Sequence, residues 1–142
     1  MEEIMPHPKT PKPLEKEIQR NGIKLLKFLG WTCHRRNTGM TRATYGGRTR
    51  VIRYGEPGMA DIFGKLPDGR SFELEFKRPG NRPTRRQFDW LKSQNSEHCV
   101  AFWVDDVQTL EIIAKRLMRG FRIWWDDDDD DVFSVGLSVP LR

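Results

Sequence analysis

Between Gly58 and Pro79 the chain reads GMADIFGKLPDGRSFELEFKRP, and this stretch restricts the possible folds more than any other. An aspartate opens a short apolar run, a Pro-Asp-Gly turn reverses direction, and a second run closes on Glu-Phe-Lys. In the second arm Phe72, Leu74 and Phe76 alternate with Glu73, Glu75 and Lys77. Period-two alternation puts the apolar residues on one face of a strand and the ionisable ones on the other. The expectation is a β-hairpin, Asp61 to Lys65 paired with Ser71 to Lys77 through the turn Leu66-Pro67-Asp68-Gly69. Pairing across that turn brings Asp61 close to the strand end that carries Glu75 and Lys77.

The flanks supply the rest of an α/β sandwich. Residues 1–12 are rich in proline and lysine and are expected to form a flexible arm, with 13–142 as a single domain. Leu14, Ile18, Leu25, Leu26 and Leu29 have helical spacing, and Gly30 stops that helix. Trp31 to Arg35 reads as a strand, Asn37 to Arg48 as a glycine- and threonine-rich loop, and Arg50 to Tyr54 as a short strand. Thr84-Arg85-Arg86-Gln87 matches a capping box opening a helix to about Ser96. Cys99 to Val104, CVAFWV, is a continuous apolar run suited to a central buried strand. Asp105 is expected to cap a helix through Val107, Leu110, Ile113, Ala114 and Leu117, which Gly120 ends. Phe121 to Trp125 and Val132 to Val139 read as two more strands, joined by the solvated run Asp126 to Asp131. The order predicts a mixed β-sheet flanked by helices.

Charge narrows the partners. The formal charge is +5 although six consecutive aspartates lie in the chain, so the remainder is strongly basic. That balance favours a polyanion, nucleic acid ahead of a membrane surface. Arg35, Arg36, Asn37, Arg42, Arg48, Arg50 and Arg53 precede the hairpin, and Arg78, Arg82, Arg85 and Arg86 follow it. Together they suggest a phosphate-lined groove that reads backbone shape rather than sequence. Cys33 and Cys99 make no disulfide framework, which points to a reducing cytoplasm. In Cys33-His34 and His98-Cys99 the neighbours point to opposite faces of a strand, so the thiols are expected to be buried rather than zinc-bound. No apolar run is long enough for a membrane helix, and the first residues lack the apolar core of a secretory signal. Trp31 and Trp90 are expected to fill the core.

The hairpin carries the chemistry. Oxygen ligands from Asp61 and Glu75, with the Phe76 carbonyl, suit Mg²⁺, which keeps waters and accepts a phosphate oxygen. Lys77 would orient a nucleophile or stabilise charge developing at phosphorus. A cross-strand salt bridge between Asp61 and Lys77 is the competing reading. Glu73 shares the face of Glu75 but lies further from Asp61, which makes it an outer or surface residue.

Asp61 followed by Glu75-Phe76-Lys77 resembles the PD-(D/E)XK nuclease superfamily, with Gly58-Met59-Ala60-Asp61 standing in for its Pro-Asp element and the proline displaced to Pro57. More narrowly, the chain is similar to a stand-alone VRR-NUC domain, the virus-type replication-repair nuclease of phage or bacterial type. Glu15-Lys16-Glu17-Ile18-Gln19, Arg36-Asn37-Thr38-Gly39, Lys77-Arg78-Pro79-Gly80, Thr84 to Gln87 and the pair of elements from Val100 to Leu117 carry this likeness. The resemblance implies a restriction-endonuclease-like core and Mg²⁺-dependent hydrolysis of DNA, with Mn²⁺ as a substitute. It also implies branched or Holliday junction-like substrates, a homodimer, no nucleotide cofactor, and a bacterial or phage-infected cytoplasm. A glutamate on the first helix completes the family's metal site. Glu15 lies about 60° from Ile18 around that helix and Glu17 about 100° on the other side, which favours Glu15. Gln87 matches a family glutamine near the active site. The expected subunit contact is Phe121 to Val139, with Trp125 and Phe133 as its test positions. A non-catalytic nucleic-acid-binding module, or a phage protein-interaction protein on the same fold, is the alternative.

Overall fold

The structure, a computed structural model, describes residues 11–36, 39–54, 58–125 and 135–138; of residues 39–43, 52–54 and 135–138 it describes the backbone only. The elements are α1 (Glu15–Phe28), β1 (Thr32–Arg35), β2 (Gly39–Tyr45), β3 (Arg48–Tyr54), β4 (Ile62–Lys65) and β5 (Ser71–Phe76). They continue with α2 (Arg85–Gln94), β6 (Cys99–Val104), α3 (Val107–Met118), β7 (Arg122–Trp125) and β8 (Val135–Ser138). Among the described residues four strands form a mixed sheet in the order β1-β4-β5-β6, antiparallel except for the parallel pair β5/β6. The chain is therefore mixed α/β, with a mixed sheet flanked by helices. Among the described residues no helix is long and apolar enough to cross a membrane.

Alternation in β5 sorts the two layers. Phe72, Leu74 and Phe76 are fully buried against Ile18 and Leu26 of α1 and Leu110, Ala114 and Leu117 of α3. Each buried side chain of this size contributes about 1.5–3 kcal/mol relative to exposure. On the opposite face α2 lays Phe88 and Leu91 over the sheet, and Leu91 joins Ala60 and Ala101 in a second cluster. Trp31 is buried edge-on to Phe72, with ring centroids 5.0 Å apart, while Trp90 is only partly buried beside the second cluster.

Three expectations need correction. The apolar run Cys99–Val104 forms β6 at the end of the hydrogen-bonded order, not a central strand. Its apolar character reports helices over both faces, which sequence cannot tell from a central position. The outer edge of β6 is covered and its backbone satisfied by side chains: Asn95 Oδ1 accepts from the Ala101 N–H at 3.2 Å, and Trp125 Nε1 donates to the Ala101 carbonyl at 3.0 Å. Second, the expected loop from Asn37 to Arg48 contains β2, which pairs with β3 along seven residues each. Gly46 and Gly47, both at positive φ, make the two-residue turn that the right-handed twist of a ribbon prefers. Third, Asp106 rather than Asp105 caps α3, accepting from the N–H groups of Gln108 at 2.8 Å and Thr109 at 3.3 Å.

β8 spans Val135–Ser138 and pairs antiparallel with β7 in a separate two-stranded sheet. Trp125 packs edge-on to Phe88, with centroids 5.7 Å apart, and belongs to this chain's own core. A charge at Trp125 would therefore disturb packing within this chain as well as at a subunit contact. Phe133 and the run 126–131 lie outside the described residues. Trp124, 48% exposed, is the aromatic of β7 that faces solvent.

Candidate metal centre

The β4/β5 register pairs Ile62 with Leu74, so one step beyond β4 Asp61 falls opposite Glu75. The Asp61 N–H donates to Glu75 Oε2 at 3.3 Å. Glu15 reaches the same place from the first turn of α1, and one carboxylate oxygen from each of Glu15, Asp61 and Glu75 lies within 4.8 Å of the other two. Glu17 is engaged elsewhere, accepting from the Leu14 N–H at 3.3 Å. Three oxygen donors at that separation fit a hard divalent cation that keeps part of its hydration shell.

Glu75 is the most enclosed member, 1% exposed. Lys77 Nζ stands 3.4 Å from Glu75 Oε1, and Gln87 Nε2 donates to the same oxygen at 3.1 Å. The Lys77 N–H continues the parallel pairing by donating to the Val104 carbonyl at 2.9 Å, which fixes where its side chain begins. Gln87 works at both ends of its amide. Its Oε1 accepts from the Thr84 N–H at 2.9 Å, closing the capping box of α2, and this leaves Nε2 to face Glu75. The capping role and the site role are thus held together by one residue. Phe76 has its side chain in the core, which leaves its backbone carbonyl as its one ligand atom.

Arg36 has an internal position rather than a free face. Its guanidinium makes a fork with Glu73 at 2.8 and 3.1 Å and donates to the Ala60 carbonyl at 2.9 Å. It lies 4.5 Å from the ring centre of Phe63 and 5.2 Å from that of Trp90. The Arg36 N–H also donates to the Asp61 carbonyl at 2.6 Å. Arg36 and Glu73 therefore hold the segment that delivers Asp61, a role that sequence reasoning assigned to neither. The pair spans 37 residues and no local pattern announces it.

The other predicted phosphate contacts divide by surroundings. Arg35, Arg48, Arg50, Arg82 and Arg86 are exposed. Arg85 pairs with Asp89 at 3.2 Å, and Arg78 donates to the Lys12 carbonyl at 3.4 Å. Asn37 and the side chains of Arg42 and Arg53 lie outside the described residues. Cys33 and Cys99 are half-buried, and burial pushes both thiols up to about 11, so neither is a ready thiolate ligand.

Burial, and then the charge of Asp61, push the Glu75 carboxyl from its ordinary 4.5 up to about 7, with Lys77 opposing. Between those values the folded chain holds a proton that the unfolded chain has released. Stability without metal therefore falls as pH rises through this window, by about 3 kcal/mol from this one group. A divalent cation held by these carboxylates would take the place of that proton, and its stabilisation would grow over the same range. Melting curves at pH 5 and pH 8, with chelator or with Mn²⁺, should show a much larger Mn²⁺ effect at pH 8, and Glu75→Gln should remove the difference. An equal gain at both pH values would mean that the cation binds elsewhere.

Comparison with family models, with curated proteins and with solved structures finds no match to this chain.

Proposed function

We propose that the chain is a metal-dependent deoxyribonuclease with a PD-(D/E)XK core of the VRR-NUC kind. It cuts branched DNA, such as a Holliday junction, as a homodimer and without a nucleotide cofactor. The observation that carries this reading is the convergence of Glu15, Asp61 and Glu75 within 4.8 Å, with Lys77 Nζ 3.4 Å from Glu75. An isolated surface salt bridge would not need a carboxylate that is 1% exposed.

Glu15, Asp61 and Glu75 would hold Mg²⁺ or Mn²⁺, and the bound cation supplies Lewis acidity towards a phosphoryl oxygen. The protein's own groups do the rest. Gln87 holds Glu75 in orientation through Nε2, and Arg36 holds the Asp61 segment through its carbonyl. Lys77 directs an ammonium where negative charge builds during attack on phosphorus. The exposed arginines before and after the hairpin attract the phosphate backbone. Coordinated cutting of two strands needs two sites related by symmetry, and the described chain supplies one such cluster, so the second comes from another copy.

The test is a cleavage assay on labelled junctions, flaps and plain duplexes, in Mg²⁺ and in chelator. The expected products appear only with Mg²⁺, carry a 5′-phosphate, and form fastest from branched DNA. A protein that binds Mn²⁺ but cuts none of these would sink the nuclease reading. Cutting of plain duplex alone, by a protein that scatters light as one chain, would discard the junction and the dimer.

A further inference from the structure

The ribbon β2–β3 pairs with itself and with no other described strand. A two-stranded hairpin is marginal in water unless a third strand or a helix covers a face. Here Thr44, Tyr45, Arg48, Thr49, Arg50 and Val51 are all exposed, Tyr45 to 77% and Val51 to 56%. The chemistry of a partner can be read from the charges. Residues 39–54 include four arginines and no aspartate or glutamate. A second copy of the same ribbon would repel it, whereas a polyanion would not.

Position and shape narrow the partner further. The ribbon is inserted between Arg36 and Asp61, and these two residues are joined by the 2.6 Å hydrogen bond at the metal centre. It therefore springs from the chain segment that delivers a proposed metal ligand. Seven residues per strand give a reach of about 23 Å at ~3.3 Å per residue. The tip, Gly46-Gly47, carries no side chain, and a Cβ added there would meet open space. A B-form major groove, about 12 Å wide, admits a two-stranded ribbon, whereas the deep, narrow major groove of A-form RNA does not.

We propose that the β2–β3 ribbon is an arm that enters the major groove of B-form DNA and holds a duplex arm beside the metal centre. The choice of polymer rests on the nuclease reading, but the arm is tested by binding and not by cleavage. Anisotropy in chelator, over a salt series, compares the wild type with Arg48→Ala/Arg50→Ala and with a control pair at the C-terminal end of α3, Arg116→Ala on its last turn and Arg119→Ala at its C-cap. The ribbon variant should lower the slope of log K against log salt by about 2, one phosphate contact for each arginine. The control should leave the slope unchanged. Wild type should prefer a DNA duplex to an RNA duplex of the same sequence, and the ribbon variant should lose that preference. Retention of the wild-type Mn²⁺-dependent melting shift shows that a variant is folded.

An unchanged slope in the ribbon variant, an equal drop in the control, or a wild type indifferent to duplex form would each overturn the arm. A protein that binds through the ribbon but never cuts keeps the arm and loses the nuclease. One that cuts with its slope unaltered by the ribbon variant keeps the nuclease and loses the arm.

Discussion

Glu75→Gln should abolish the Mg²⁺-dependent DNA cleavage proposed for this chain, lowering the rate by more than about 100-fold. Removing a partner that merely orients a metal ligand typically costs 10–100-fold, and a ligand itself should cost more. The substitution keeps the side chain's size, removes its charge and turns one of the two acceptor oxygens into a donor, as protonation of the carboxylate also does. Gln87 retains its cap on α2 through Thr84, so the neighbouring helix has no reason to unwind. Stability should even improve above pH 7 without metal, because burial disfavours the carboxylate in the wild type. Lost activity in a protein that melts no lower than wild type is then a chemical loss and not unfolding. DNA retention should persist, since the exposed arginines lie elsewhere on the chain. A purified Glu75→Gln protein that cuts at the wild-type rate would remove this carboxylate from the mechanism.

Gly64→Val should be the most damaging single change in the sheet. Propensity alone favours valine in a strand by up to ~1 kcal/mol. The contacts decide otherwise, because a Cβ at this position would run into the backbone carbonyl of Thr32 and lie 3.0 Å from the Phe72 ring. A backbone carbonyl has no other rotamer to adopt, so β1 must move away from β4. The edge where Thr32 Oγ1 accepts from the Lys65 N–H at 3.0 Å would open, taking Arg36 with it. Overpacking typically costs 1–3 kcal/mol and occasionally more, and here about 3 kcal/mol or more is expected. That is a large part of a typical 5–15 kcal/mol of total stability, and urea unfolding would show it as a lower midpoint. A variant with an unchanged midpoint would mean that the β1–β4 contact is looser than the structure has it.

How much was legible follows from the range of each interaction. The β4–β5 hairpin could be read because period-two alternation and a Pro-Asp-Gly turn are local, and together they set the register that puts Asp61 opposite Glu75. The capping box at Thr84 and Gln87 was legible for the same reason. The β2–β3 ribbon was also written in the chain, in Gly46-Gly47 between threonine- and arginine-rich runs, although its composition reads as a loop.

Other features have no local signature. Helical angles favoured Glu15, but only the packing of α1 shows Glu17 spent on the Leu14 N–H and Glu15 beside Asp61 and Glu75. CVAFWV states that β6 is covered on both faces and is silent on which strand lies beside it. Arg36 looked like one more phosphate contact until the fold set Glu73, Phe63 and Trp90 around it. The sequence by itself determined which residues share a strand face and which carboxylates meet across a turn, because backbone geometry fixes both over a few residues. Only the tertiary structure decided that Glu75 is enclosed, that Arg36 is internal and that position 64 must be glycine. Each of these depends on atoms that are distant in the chain and are brought together only when the layers pack.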